Sequence, residues 1–216
     1  MSNLITLLKR RIISSSLFWR LRTYLQPSWI DSYDIKGVPK LYFDIVSENN
    51  ISSILDFGCA TGELLYQLNK NNPSQISYGI DINKDAIDLC KDKFKEFNKQ
   101  NKKFFFDYEL NINNLLIFLK KNNLTHFDLM VFDRVLYCMS DEDLDSLLEL
   151  LLNYTEIVLI DDFQTTAELE IYGYRHRDWK SLLQKYNFKN IKNIPTIYTK
   201  VKLANPRTLL FKREDL

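Results

Sequence analysis

Apolar residues recur along the chain with two periods. Runs with β character predict strands at Ile51–Phe57, Ile76–Ile82, Phe104–Phe106, Phe127–Phe132 and Glu156–Ile160, the fourth apolar without alternation, as a strand buried on both faces should be. Between them, apolar residues return every three or four positions. Leu64, Leu65 and Leu68 share one face of a helix that runs to about Asn69, and Ile87, Cys90, Phe94 and Phe97 share a face of a helix capped by Asn83. Lys40 to Glu48, behind Pro39, and Asn113 to Lys121 predict two more. Ser140 with Asp143 forms a capping box ahead of the stripe Leu144, Leu147, Leu148 and Leu151.

Strands alternating with helices predict an α/β fold: a doubly wound, mostly parallel sheet with right-handed crossovers. The tail departs from this rhythm. A helix over Arg177–Tyr186 precedes two extended runs, Phe188–Leu203 and Thr208–Lys212, flanking Ala204-Asn205-Pro206-Arg207. That is a hairpin signal, so the expected sheet has seven strands with an antiparallel C-terminal pair. Ahead of the first strand, Leu4, Leu7, Leu8 and Ile12 and then Leu17, Leu21 and Leu25 predict two helices around Ser14-Ser15-Ser16. Lys9, Arg10, Arg11, Arg20 and Arg22 decorate them, with no acidic residue before Asp31. The preferred expectation is a helical arm that covers the sheet or its ligand. A basic arm lying on a membrane surface or gripping an anionic substrate is the other reading. Pro27, Trp29, Gly37 and Pro39 form a hinge-like stretch.

The most informative local stretch is Ile54 to Leu65. A strand ends in Asp56-Phe57-Gly58-Cys59-Ala60-Thr61-Gly62 and a helix begins at once. Glycine lets the backbone bend and a ligand approach, and the helix start offers free N–H groups, so the turn forms a ledge at the carboxyl end of a strand. Asp81 closes the next strand, nineteen positions after Gly62, the expected spacing for a carboxylate that accepts ribose hydroxyls. A dinucleotide fingerprint needs a third glycine where Glu63 stands, and Glu63 also opposes a diphosphate. A phosphate-free cofactor with an amino group, oriented by Asp56, fits better.

On these residues the chain resembles the class I, Rossmann-like S-adenosylmethionine-dependent methyltransferases. Their motif, acidic-x-Gly-x-Gly-x-Gly, stands here with Ala60 at the middle glycine. The resemblance covers roughly Leu41 to Arg213 and implies residues 1–40 as an N-terminal helical arm or lid and 41–216 as the cofactor-binding methyltransferase domain. It implies S-adenosyl-L-methionine held by Asp56, Gly58, Ala60, Gly62 and Asp81, with Asp107 on the adenine amino group and Ile82 or Tyr108 against the purine. It places Asp133, Arg134 and Tyr137 beside the methionine moiety and acceptor, and Tyr24, Trp29 and Tyr33 of the arm near the site. Asp133-Arg134-Val135-Leu136-Tyr137-Cys138-Met139 resembles a common family variant with His at the Cys138 position, so one candidate base is missing.

His176, within Tyr174-Arg175-His176-Arg177, falls in a region that builds the acceptor pocket in the family. An imidazole can take a hydroxyl proton near neutral pH, so His176 and Asp133 are the catalytic candidates. Arg134, Tyr137, Tyr174, Arg175 and Arg177 are the acceptor-binding candidates, the last two arginines for a carboxylate, phosphate or sulfate. Asp133, Asp161 and Asp162 at strand tips form a less favoured alternative, a Mg²⁺ site of the kind some relatives use.

Composition narrows the acceptor. The chain has 216 residues, net charge +1 and no basic excess, so nucleic acid is an unlikely partner. Cys59, Cys90 and Cys138 show no paired or metal-ligand spacing, and no apolar run spans a bilayer; a cytoplasmic enzyme is expected. The leading expectation is methylation of a small molecule or glycan, at oxygen. A tRNA or protein methyltransferase and a non-catalytic cofactor-binding subunit are the alternatives, with a nicotinamide dehydrogenase more remote.

Overall fold

The computed structural model describes residues 2–25, 38–72, 75–96, 98, 104–108, 112–163, 174–195 and 206–214. The strands form a seven-stranded sheet in the order β3-β2-β1-β4-β5-β7-β6, where β1 is Ser53–Phe57, β2 Ile76–Asp81, β3 Phe104–Tyr108, β4 Leu129–Asp133, β5 Ile157–Phe163, β6 Phe188–Pro195 and β7 Pro206–Arg213. The chain divides into two compact units: Ser16–Met130, and Met1–Ser15 with Val131–Leu216.

In the Ser16–Met130 unit, β1, β2 and β3 run parallel, with Asp56 beside Gly79 and Ile80 beside Asp107. This register aligns the carboxyl ends of the three strands. Helices α2 (Ser16–Leu25), α3 (Lys40–Glu48), α4 (Glu63–Asn71), α5 (Lys84–Lys93) and α6 (Ile112–Lys121) accompany them. Ile54 and Leu55 at the centre of β1 have no solvent exposure. Phe94 stacks on Phe104, and Tyr78 stacks on Phe105 and meets Phe118 and Phe127 edge-on, so aromatic rings fill this core. Asn83 caps α5 as expected, accepting from the Asp85 and Ala86 N–H groups. At the edge strand, the Asn98 amide both donates to and accepts from the Phe104 backbone, closing ladder groups an edge leaves open.

In the other unit, β5 pairs antiparallel with β7, and β7 with β6, the last pair irregular between Asn190 and Lys192. Helices α1 (Ser2–Ile13), α7 (Asp141–Leu151) and α8 (Trp179–Gln184) belong here. Trp179 is fully buried and its indole N–H reaches the Phe163 carbonyl at 3.2 Å.

Several boundaries differ from expectation for identifiable reasons. The strand expected to end at Ile160 runs to Phe163, so Asp161 and Asp162 lie inside β5 and not at its tip. Helix α8 starts at Trp179 because Asp178 caps it, accepting from the Ser181 N–H and hydroxyl. Pro206 opens β7, where its missing N–H costs no ladder bond. The turn residues Ala204 and Asn205, like Trp29 and Tyr33, lie outside the described residues. The N-terminal stripe does not face inward: Leu4, Leu7, Leu8, Ile12, Leu17, Leu21 and Leu25 are all exposed.

Candidate cofactor and acceptor sites

The glycine turn after β1 is held in a bent conformation that its sequence makes possible. Gly58, Ala60 and Gly62 all have positive φ, at 86°, 48° and 75°. Two of the three are glycine, for which this region costs nothing; alanine at the third costs about 1 kcal/mol. The Gly58 and Cys59 N–H groups donate to the Ile80 carbonyl at 2.7 and 3.1 Å. Asp81 completes the fastening: its carboxylate accepts the Ala60 N–H at 2.9 Å and the Asn83 N–H at 2.7 Å. The carboxylate thus lies against the turn and retains further lone pairs for a ligand. Burial raises its pKa, opposed by these two N–H bonds.

Asp56 is buried beneath the same turn, and its Oδ1 has no hydrogen-bond partner. Burial, with the nearby Asp81 charge, pushes its carboxyl up to about 8. An orphaned buried carboxyl is costly unless a donor or cation meets it. A positively charged, phosphate-free nucleoside supplies one, so the residues fit S-adenosylmethionine. Glu63 changes one part of the sequence argument. Its buried carboxylate pairs with Lys93 and accepts from Gln67 at 2.6 Å, so its charge is neutralised and does not itself repel a diphosphate. The missing third glycine is the stronger objection to a dinucleotide.

Ile82 follows β2, half-buried, beside Asp81. Asp107 lies at the carboxyl end of β3 with Lys91 at 3.8 Å and Lys121 at 3.6 Å. The Tyr108 backbone ends β3 next to Asp81, and its side chain is outside the described residues.

The acceptor-side candidates belong to the Val131–Leu216 part of the other unit. Arg134 adopts φ 52°, unusual for a non-glycine residue. Its N–H reaches the Asp161 carbonyl at 2.7 Å and its Nε the Asp133 carboxylate at 2.8 Å, so these two neighbours form an ion pair. Tyr137 is buried, edge-on to Phe163 and Tyr174, which stack on each other at 5.6 Å. Burial drives the Tyr137 hydroxyl well above its ordinary pKa.

Arg177, expected to hold an acceptor anion, is occupied instead. Its guanidinium donates to the Leu136 and Met139 carbonyls at 2.9 and 2.8 Å and pairs with Asp141 at 2.8 Å. The short turn Leu136–Cys138 leaves carbonyls that need donors, and the planar guanidinium supplies them. Arg175 reaches the Cys138 carbonyl at 3.3 Å, and burial followed by neighbouring Arg10 and Arg177 lowers its pKa. Sequence reasoning missed Arg10 in this group. His176 is half-buried, and its Nδ1 is buried without a hydrogen-bond partner.

The alternative metal set does not converge. Asp161 and Asp162 are successive residues of a fully buried strand and so project to opposite faces. Asp161 accepts from Thr208 at 2.7 Å; Asp162 accepts the Tyr137 and Phe163 N–H groups. Among the described residues no group of three or more His, Cys, Asp or Glu is placed to hold a metal ion.

Strand order, glycine turn and paired carboxylates define a class I S-adenosylmethionine-dependent methyltransferase. A family model described as "Methyltransferase domain" matches residues 48–205, and the chain belongs to that family. It is an enzyme that uses S-adenosylmethionine. Solved structures share the fold at low identity. Magnesium protoporphyrin IX methyltransferase (ChlM) from Synechocystis PCC 6803, with bound SAM, is 14% identical at TM-score 0.61, covering 97% of each chain. The methyltransferase domain of bacterial CtHen1-C is 15% identical at TM-score 0.63, covering 82% of this chain and 96% of that one. Mitomycin 7-O-methyltransferase MmcR is 12% identical at TM-score 0.56, covering 77% and 50%. No curated protein matches the sequence.

Proposed function

We propose that this enzyme methylates an oxygen of a small-molecule or glycan acceptor carrying an anionic group, with His176 as the base. The carrying observation is the buried Nδ1 of His176, which has no hydrogen-bond partner and so is available to an acceptor hydroxyl. In this reading Asp81 accepts the ribose hydroxyls, Asp56 meets the cationic end of the cofactor, and Ile82, Asp107 and Tyr108 border the adenine. Gly58, Ala60 and Gly62 let the backbone come close to the cofactor.

Bound S-adenosylmethionine supplies a methyl group activated by its sulfonium. The chain orients the acceptor and removes one proton. Tyr174, stacked on Phe163, offers a flat apolar wall for a ring, and Asp133 keeps Arg134 turned in place. Arg175 sits among the like charges of Arg10 and Arg177, and an acceptor carboxylate, phosphate or sulfate relieves that crowding. Arg177 acts as a positioning residue for the turn Leu136–Cys138. Two structurally similar proteins, MmcR and a Nostoc punctiforme protein, are by name an O-methyltransferase and a putative one, in keeping with oxygen as the methylated atom.

The test is labelled-methyl transfer across a panel of glycans, nucleotides and small acids, followed by His176→Ala on the acceptor found. We expect turnover to fall about 10²–10⁴-fold with cofactor binding retained. Full turnover by the variant removes the base assignment. Transfer to tRNA or protein alone, with salt-dependent binding, replaces the acceptor class.

A further inference from the structure

Helix α1 is amphipathic, but it is mounted with its apolar side outward. Thr6, Arg10 and Ile13 recur at helical spacing and are the shielded positions, Ile13 buried and the other two half-buried. Ser14, just beyond the helix, donates to the Cys138 carbonyl at 2.6 Å, fixing the helix end to its unit. The opposite face shows Leu4, Ile5, Leu7, Leu8 and Ile12, at 73%, 54%, 59%, 60% and 46% exposure, with Lys9 and Arg11 exposed beside them. Leaving five large aliphatic side chains of one helix in water is unfavourable, and a partner that buries them removes that apolar surface from water.

We infer that α1 is a docking surface for an anionic lipid bilayer. Charge selects this occupant. The exposed charges of α1, Lys9 and Arg11, are both basic, and the first 25 residues hold no acidic side chain, in a chain whose net charge is only +1. A helix with an aliphatic face, Lys9 at its edge and Arg11 between Leu4 and Leu7, lies in the plane of the interface with its leucines at the acyl boundary, while the long basic side chains snorkel to the phosphates. A second copy of this chain fits poorly. A helix of 12 residues is about 18 Å long, so its face covers a few hundred Å², well short of the roughly 800 Å² per partner of a stable interface. Two such arms would also bring like charges together. Nucleic acid has no use for the leucines. Helix α2 independently exposes Leu17, Leu21, Tyr24 and Leu25, while its Arg20 pairs with Asp85 and its Arg22 lies over the Phe18 and Trp19 rings. Among the described residues no helix is long and apolar enough to cross a membrane.

Vesicle co-sedimentation of the full chain tests this. The expected result is binding to vesicles of phosphatidylcholine mixed with phosphatidylglycerol, and much weaker binding to phosphatidylcholine alone. Leu4→Gln/Leu8→Gln should weaken binding at least about tenfold. Lys9→Glu/Arg11→Glu should weaken it on the order of tenfold or more on the anionic vesicles. Because Leu4 and Leu8 are exposed, the melting temperature of the Leu4→Gln/Leu8→Gln variant should stay unchanged, which separates lost docking from lost folding. No binding to the anionic vesicles overturns the inference. So does binding that survives the leucine changes, or light scattering that shows a dimer dispersed by Leu4→Gln/Leu8→Gln.

Discussion

Replacing Asp81 by asparagine probes the cofactor reading at its most connected atom pair. The native carboxylate accepts two backbone N–H groups, from Ala60 at 2.9 Å and Asn83 at 2.7 Å. An amide of the same shape has one acceptor oxygen and one donor nitrogen, so one of the two N–H groups faces another donor. Losing one charge-assisted bond and stranding its donor costs about 2–4 kcal/mol, and relief of a buried charge returns part of that, leaving a stability loss of about 1–2 kcal/mol. The cofactor loses more. A ribose hydroxyl donating to a carboxylate contributes about 1.5–3 kcal/mol beyond an unpaired state, or roughly 10- to 100-fold in Kd.

Calorimetric titration with S-adenosylhomocysteine, beside thermal melts, separates the two effects. Asp128→Asn is the control: that carboxylate binds the Ser52 and Ser53 N–H groups at the other end of β1, so its loss should lower stability and leave cofactor affinity alone. Asp81→Asn affinity within about twofold of the native value would refute the reasoning, as would an equal affinity loss in both variants.

The remaining predictions concern the same turn and its counterpart after β4. Asp56, raised to about 8 against about 3.8 when unfolded, binds a proton in the folded state that the unfolded chain releases; stability should fall as pH rises through that window, and denaturant titrations of Asp56→Asn should show a flatter profile. A cationic cofactor favours ionised Asp56, so its affinity should rise with pH across the same window; an affinity independent of pH would count against that contact. Ala60→Gly should raise stability by up to about 1 kcal/mol, because φ 48° penalises alanine, and a lowered melting temperature would contradict it. Arg177→Met should destabilise the fold by about 2–4 kcal/mol by stripping donors from the Leu136 and Met139 carbonyls, whereas an acceptor-binding role alone would leave the melting temperature in place.

The cofactor half was legible because its signals are local. A strand, a turn needing positive φ and a capped helix each follow from neighbouring residues, and the Asp81 spacing needs only one crossover. The acceptor half depends on partners distant in sequence. Nothing near Arg177 in the chain announces that carbonyls about forty residues earlier need its donors. Asp161 and Asp162 misled for another reason: acidic residues normally end a buried strand, yet Thr208 and two backbone N–H groups let these continue inside one. The α1 stripe shows a third limit. Periodicity identifies an apolar face, and it does not say whether that face turns toward protein or away from it.

These differences have a common physical basis. Around the glycine turn, polar groups pair with backbone and hold a fixed shape, and Asp56 Oδ1 is left buried without a hydrogen-bond partner. In the other unit, Arg134 pairs with Asp133, and Ser14, Arg175 and Arg177 satisfy the turn around Cys138. His176 Nδ1 is again a buried polar atom without a hydrogen-bond partner. Buried polar atoms are nearly always satisfied in folded proteins, and Gln75 Oε1 is unpaired here as well, so an unpaired atom supports a functional reading only where it lies in a proposed site. Asp56 and His176 meet that condition, so they are positions at which substitution should alter binding and turnover more than stability. Asp56→Asn and His176→Ala measured side by side for melting temperature, cofactor Kd and methyl transfer decide it. If either variant loses stability in proportion to its function, the unpaired atom is a structural defect and not a site.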